Sequence, residues 1–309
     1  MTGSSSKKII VVGSTNMDMV VKTKHIPVPG ETVLSGSFFM NPGGKGANQA
    51  VAVARLGGET VFISKLGNDV FGKQSFQLLD EEGIDTFYML SDNELPSGVA
   101  LITVDQAGEN SIVVASGANA NLFPPDLKTA LDEIRNAGII LMQLEIPLET
   151  VLYVAEFAAG HGVRVILNPA PANELPEALL RRLDIITPNK TEAEMLSGIK
   201  VTSIETAKKA AKAIQEKGVK NVVVTMGPLG AILCQDGKIQ VIPAPKAEAI
   251  DSTAAGDVFN GALAVAISEE KPLAEAVKFA CEAAAISVTR MGAQSSIPYR
   301  NELIVSKIT

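Results

Sequence analysis

The chain has 309 residues, 46% hydrophobic and 20% charged, a composition that excludes disorder and supplies material for a large core. A net charge of −7 excludes a nucleic-acid surface, which would show an excess of clustered Lys and Arg. The two cysteines, Cys234 and Cys281, lie too far apart for a CxxC pair or a disulfide framework, as expected in a reducing cytoplasm.

MTGSSSKK at the start has no apolar h-region behind its lysines, so it is no signal peptide and is expected to be a disordered start. No apolar run approaches the roughly 18 residues that span a bilayer, so no membrane contact is expected. Short apolar runs then alternate with helical patterns. The runs are IIVVG (Ile9 to Gly13), TVFIS (Thr60 to Ser64), GIILMQLE (Gly138 to Glu145), VRVILNP (Val163 to Pro169), DIITPN (Asp184 to Asn189) and NVVVTMG (Asn221 to Gly227). They suit strands buried on both faces, with helices over Asp126 to Ala137, Pro147 to His161 and Ile204 to Lys217, the last with Lys208, Lys209 and Lys212 on its wet side. Two segments break the rhythm as hairpin-like strands: MDMVVKTKHI with ETVLSGSFFM, and GVALITVDQAGENSIVVAS. The expected fold is α/β, a doubly wound and mostly parallel central sheet covered by helices, with a small β-sheet lid. It forms one domain over 1–309, with lid strands inserted at about 16–42 and 97–117.

In such sheets ligands bind beyond the carboxyl ends of the strands. NMD (Asn16 to Asp18) follows the first strand, at a strand end open to the cleft, and the acceptor-only carboxylate of Asp18 suits a pair of sugar hydroxyls, or is merely capping or solvated. NPGGKGANQAVAVARLGG (Asn41 to Gly58) sets three glycines and Lys45 before an Ala-rich helix, suited to close backbone approach or to a simple turn. It is no Walker A loop, because Gly46 follows Lys45, and no GxGxxG follows the first strand. QLEIP and LNPAPANELP end strands in polar residues. In TPNKTEAEML, Asn189 and Glu192 share a first helical turn, where a carboxylate can hold hydrated Mg²⁺, although a Thr-x-x-Glu capping arrangement competes. VVVTMGPLGAIL leaves a strand through a two-glycine loop, able to wrap a nucleotide or simply to turn. His25, in an expected lid strand, and His161 are poor material for a metal site or a triad.

DSTAAGDVFNGA (Asp251 to Ala262) is more specific. Val258, Phe259, Ala262, Leu263, Ala266 and Ile267 recur at helical spacing, so a helix begins near Ala254 or Ala255 with Asp257 in its first turn. Ser252 and Thr253 are N-cap candidates, and the amides of 254–257 together with the helix dipole suit a phosphoryl group.

Taken in order, NMD, PGGKGANQA, SGANA, QLEIP, NPAPA, TPNKTEAE, VTMGPLGA, DSTAAGDVFNGA and RMGAQSSIP resemble the ribokinase family of PfkB-type carbohydrate kinases over nearly the full chain. The resemblance implies transfer of the ATP γ-phosphoryl group to a sugar hydroxymethyl group, the O5 of D-ribose foremost. It implies a sugar site of Asn16, Asp18, Gly44, Lys45, Gly46, Asn48 and Glu145. ATP contacts would come from Asn189, Thr225, Gly227, Gly230 and Gly256, with Cys281 where some members carry a His beside adenine. Glu192 would organise Mg²⁺ through water. Asp257 would be the base, in an anion hole of Ala254, Ala255 and Gly256. Asp251, Thr253, Ser287, Arg290, Gly292 and Ser296 would hold K⁺, mostly through carbonyls, and the lid strands would form a homodimer. Phosphoryl transfer depends mainly on positioning and charge stabilisation, so Asp257 needs no raised pKa. The rivals are a kinase for deoxyribose, another sugar or a nucleoside, a non-catalytic sugar-binding regulator, and an NAD-dependent dehydrogenase, which the missing GxGxxG disfavours.

Overall fold

The computed structural model describes residues 7–34 and 36–305, so most of the expected disordered start, positions 1–6, lies outside the described residues. The chain opens with β1 (Ile9–Val12) and leaves through β2 (Asn16–Lys22) and β3 (Ser37–Gly43). It returns by α1 (Lys45–Arg55) to β4 (Thr60–Gly67), then runs through α2 (Val70–Glu81) to β5 (Met89–Asp92). A second excursion, β6 (Gly98–Val104) and β7 (Asn110–Ala115), precedes α3 (Leu131–Asn136), β8 (Ile139–Met142), α4 (Leu148–Gly160), β9 (Arg164–Leu167), α5 (Glu177–Leu180) and β10 (Ile185–Ile186). The last part holds α6 (Lys190–Ser197), α7 (Ile204–Glu216), β11 (Asn221–Thr225), β12 (Ala231–Gln235), β13 (Lys238–Ile242), α8 (Ala255–Ser268), α9 (Leu273–Ser287) and α10 (Arg300–Val305).

The large sheet has the order β13-β12-β11-β10-β9-β8-β1-β4-β5, parallel throughout except that β12 runs antiparallel to its neighbours β11 and β13. Its strands are apolar throughout because both faces are covered. In β1, Ile9 and Val11 pack into the cluster under α1, α8 and α9, while Ile10 and Val12 pack into the one under α3, α4, α6 and α7. β1 lies between β4 and β8, so the winding reverses beside its carboxyl end. That crevice is where an open α/β sheet receives its ligand.

The small sheet, β3-β2-β6-β7, is built from both excursions, joined by parallel pairing of β2 with β6. Its register puts Asp18, Asn41, Ala100, Ile102, Ile112 and Val114 on one face, and Val21, Phe38, Met40, Leu101 and Val113 on the other, exposed. Three expectations shift. The second strand of the first hairpin starts at Ser37 rather than Glu31, since Gly30 and its neighbours form a turn held by Glu31 on the amide of Val28. His25 therefore lies in the connecting loop, 2.7 Å from Glu31, not in a strand. The helix expected over Asp126 to Ala137 begins as a 3-10 turn at Pro124–Ala130 and becomes α-helical only at Leu131.

α8 is apolar all round because it is enclosed by the sheet, α1 and α9, and its residues from Asp257 to Ser268 are all buried. Its contact with α1 is tightest at Gly261, where a Cβ would lie 2.5 Å from Ala52 Cβ and 3.0 Å from the Gln49 carbonyl. Gly261→Val is expected to lower stability by about 1–3 kcal/mol through overpacking, which outweighs the roughly 0.5 kcal/mol gained in helix propensity. Chemical denaturation of the two proteins measures the difference.

Candidate active site

Two helices begin at the crevice. α1 starts at Lys45 with Gly44 before it at φ 88, a conformation that suits glycine. α8 starts at Ala255, and its N-cap is Ala254 at φ 58, not Ser252 or Thr253. The reason lies upstream. Asp251 accepts from the Thr253 amide at 2.9 Å and its hydroxyl at 2.6 Å, which uses the Thr253 side chain and turns the chain into the left-handed region at the next residue.

Asp257, in the first turn of α8, is 6% exposed. Asn48 Nδ2 donates to one carboxylate oxygen at 3.0 Å and Gln49 Nε2 to the other at 2.9 Å. Burial raises the Asp257 carboxyl above its usual range, against the pull of Lys45, Gln49 and Asn48, a shift that the chemistry does not require. The Ala255 amide is also not free, since it donates to the Ser252 carbonyl at 3.2 Å. The next amides, Gly256 and Asp257, have no helical carbonyl to bond and carry the positive end of the helix dipole. A Cβ on Gly256 would meet nothing within 4 Å, so the space above it is open.

Asp257 joins two cavities. The larger, about 710 Å³, lies under the lid and is lined by Asn16, Asp18, Gly44, Lys45, Asn48 and Glu145, with Ala100, Ile102, Ile112 and Val114 as its apolar wall. Gly46 sits just behind it, close-packed on the backbone of Ser14. Glu145 bridges the crevice by accepting from Ser14 Oγ at 2.5 Å and the Lys45 amide at 2.9 Å. Asn119 Nδ2 donates to Asn16 Oδ1 at 2.8 Å, which turns the Asn16 amide nitrogen outward. Burial, with Glu145 and Asp257 nearby, pushes Asp18 up to about 7 despite Lys45. Burial lowers the Lys45 ammonium, but Asp257, Glu145, Glu192 and Asp18 together hold it above its ordinary value. Such a set of acceptors and donors suits a polyol.

The smaller cavity, about 220 Å³, shares Lys45, Ala254 and Asp257 with the first and adds Asn189, Glu192, Thr225 and Gly256. Asn189 caps α6, accepting from the Glu192 amide at 3.0 Å, while the Glu192 carboxylate accepts from the Asn189 amide and from its Nδ2, both at 2.8 Å. The pair therefore both caps the helix and faces the cavity, and the box is Asn189-x-x-Glu192 rather than the competing Thr-x-x-Glu arrangement. Burial raises the Glu192 carboxyl. Gly227 and Gly230 form the turn between β11 and β12 beyond Thr225 and line neither cavity. Cys281 also lines neither; it packs on α8, and burial pushes its thiol up to about 12.

Behind the start of α8, Asp251 also accepts from the Gly292 amide at 2.9 Å, which draws the loop of Ser287, Arg290, Gly292 and Ser296 against Thr253. These bonds hold Asp251 below the usual carboxylate range although burial opposes them. Arg290 turns its guanidinium to Glu302, so only its main chain faces this loop. Ser287 and Ser296 are fully buried and donate to carbonyls three residues back. Sequence reasoning missed Gln49, Asn168 and Asn260, although an Asn48–Gln49 pair within an Ala and Val run is itself a signal of buried polar partners.

A polar cavity under the lid that meets a second cavity at the N-terminus of α8 through one carboxylate, on this sheet, is an arrangement suited to a sugar kinase. The profile described as pfkB family carbohydrate kinase matches residues 6–300, and the chain belongs to that family. It is 45% identical to the ribokinase of Haemophilus influenzae over 96% of this chain and 97% of that protein. It is 39% identical to the deoxyribokinase of Salmonella typhi over 94% of this chain and 95% of that protein. A structure of Arabidopsis thaliana ribokinase complexed with ribose and ATP superposes with a TM-score of 0.91 at 36% identity, covering 97% of this chain and 98% of that one.

Because Asp18 titrates near 7 in the fold and near 3.8 when unfolded, the folded state binds more protons between those values and loses stability as pH rises through that window. Asp18→Asn is expected to raise the thermal midpoint by a few degrees at pH 8 and by less at pH 5, as read by calorimetry.

Proposed function

We propose that the chain transfers the γ-phosphoryl group of ATP to O5 of D-ribose, as one domain with an inserted lid. The observation that carries this reading is the junction of the two cavities at Asp257 and Lys45. The sugar lies in the larger cavity against Asn16, Asp18, Asn48 and Glu145, and the phosphate chain in the smaller one. Asp257 accepts the proton of the attacking hydroxyl. Its burial raises its basicity, while Asn48 and Gln49 favour the ionised form that can act. Charge that builds on the phosphoryl oxygens meets the Gly256 and Asp257 amides and the Lys45 ammonium. The 45% identity to a ribokinase, against 39% to a deoxyribokinase, favours ribose.

Among the described residues no three His, Cys, Asp or Glu side chains surround one point. Glu192 beside the phosphate cavity nevertheless fits Mg²⁺, which usually takes one or two carboxylates, waters and substrate phosphates. An ion held there would supply positive charge to the phosphate chain. Asp251, charged and set against the carbonyl-rich end of α9, fits K⁺ together with the main chain of Thr253, Ser287, Arg290, Gly292 and Ser296. The exposed apolar face of the lid supports a homodimer. Among the described residues no helix is long and apolar enough to cross a membrane.

ADP release with ATP and Mg²⁺ over a panel of pentoses and nucleosides, with and without K⁺, tests the reading. D-ribose is expected to give the highest kcat/KM. No turnover on any sugar overturns the kinase assignment, and a preference for deoxyribose overturns only the acceptor. Asp257→Asn is expected to lose about 10²–10⁴ in kcat while calorimetry still detects sugar binding.

A further inference from the structure

Asp257 is held by a side chain that touches neither cavity. Gln49 lies in the first turn of α1, is fully buried, and lines neither the sugar nor the phosphate space. Its Nε2 donates to Asp257 Oδ1 at 2.9 Å and to Asn168 Oδ1 at 3.1 Å. Its Oε1 accepts from Gln143 Nε2 at 2.6 Å, and Gln143, just past β8, is fully buried as well.

The direction of this chain follows from one fact. An ionised carboxylate only accepts, so Gln49 must present its amide nitrogen to Asp257 and its oxygen to Gln143. Gln143 must then donate, which leaves Gln143 Oε1 pointing at Gly13, where a Cβ would lie 2.2 Å away. That oxygen is buried and has no partner. Buried acceptors are seldom left unpaired, and here the unpaired group stands at the far end of the chain from Asp257. Asn48 shows the same polarity. Its nitrogen faces Asp257, and its oxygen is buried and unpaired although the residue lines the sugar cavity.

We infer that Gln143 and Gln49 form a buried orienting relay, in which Gln143 prevents the Gln49 amide from turning over and so keeps an N–H on Oδ1 of the base. Both are positioning residues, and the inference rests on the reading of Asp257 as base. A fixed donor on Oδ1, with Asn48 on Oδ2, also fixes the plane of the carboxylate and hence the lone pair that meets the substrate hydroxyl.

The test is the pH profile of kcat between about pH 5 and 9 in wild type, Gln49→Met and Gln143→Met. Removing a donor destabilises the ionised carboxylate, so the acid limb moves to higher pH. The other charged groups facing Asp257, namely Lys45, Glu145, Asp18 and Glu192, are the same in all three proteins. Gln49→Met is expected to lower kcat about tenfold at pH 7 and to move the acid limb up by about one unit, with KM for sugar and ATP little changed. Gln143→Met is expected to move it the same way by less. An unmoved acid limb in Gln49→Met overturns the relay, even if the thermal midpoint falls; should that variant not fold, an unmoved limb in Gln143→Met does so. In that case a dead Asp257→Asn leaves the base assignment standing. A wild type that phosphorylates no sugar overturns both.

Discussion

The structure is organised around one carboxylate that is almost out of water and can only accept hydrogen bonds. Asp257 lies where the first turns of α1 and α8 converge, and a buried charge of this kind persists only when donors are fixed around it. Two neighbouring side chains of α1 supply them, Asn48 and Gln49, from two different directions. That arrangement requires α1 and α8 to pack at a single spacing, which a glycine at position 261 makes possible. The helix contact and the carboxylate environment are therefore the same constraint seen from two sides.

A second constraint is charge balance. Asp18, Asp257, Glu145 and Glu192 all act on one ammonium, that of Lys45, which raises the ammonium and keeps it charged. The balance is incomplete, because Asp18 is still pushed to about 7. Four carboxylates sharing one lysine form a coupled system, in which the protonation of any one depends on the others. The lid enters this system directly, since its register is what sets Asp18 on the cavity side of β2. A slip by one residue would turn Asp18 to the outer face.

The large sheet was legible because its strands carry no polar alternation: β1 and β11 are apolar at every inner position, and their burial on both faces follows directly. α7 was legible from its amphipathic spacing and Ser203 cap. The site was legible where a motif places the residue on the terminus of an element, as with Asp18, Lys45, Asn189, Glu192 and Asp257. It was not legible where tertiary contacts decide. Ala254 takes the left-handed cap that Ser252 or Thr253 should have filled because Asp251, itself tied to the Gly292 amide, holds the Thr253 amide and hydroxyl, at a cost of about 1 kcal/mol for a residue with a Cβ. The Ala255 amide is taken up by the Ser252 carbonyl in the same turn. Gln49 and Gln143 come together only when β8 and α1 are both in place, and no spacing in the chain signals their contact.

The parallel pairing of β2 with β6 bears on how the molecule is made. Neither hairpin of the lid holds a four-stranded sheet by itself, and the pairing that joins them, Asn16 opposite Gly98, closes a loop that contains β3, α1, β4, α2 and β5. Closing so long a loop is favourable only after those elements have been brought together. The cavity wall is therefore a late product of folding, and a nascent chain would expose the apolar strands of the lid until the first half of the large sheet had formed.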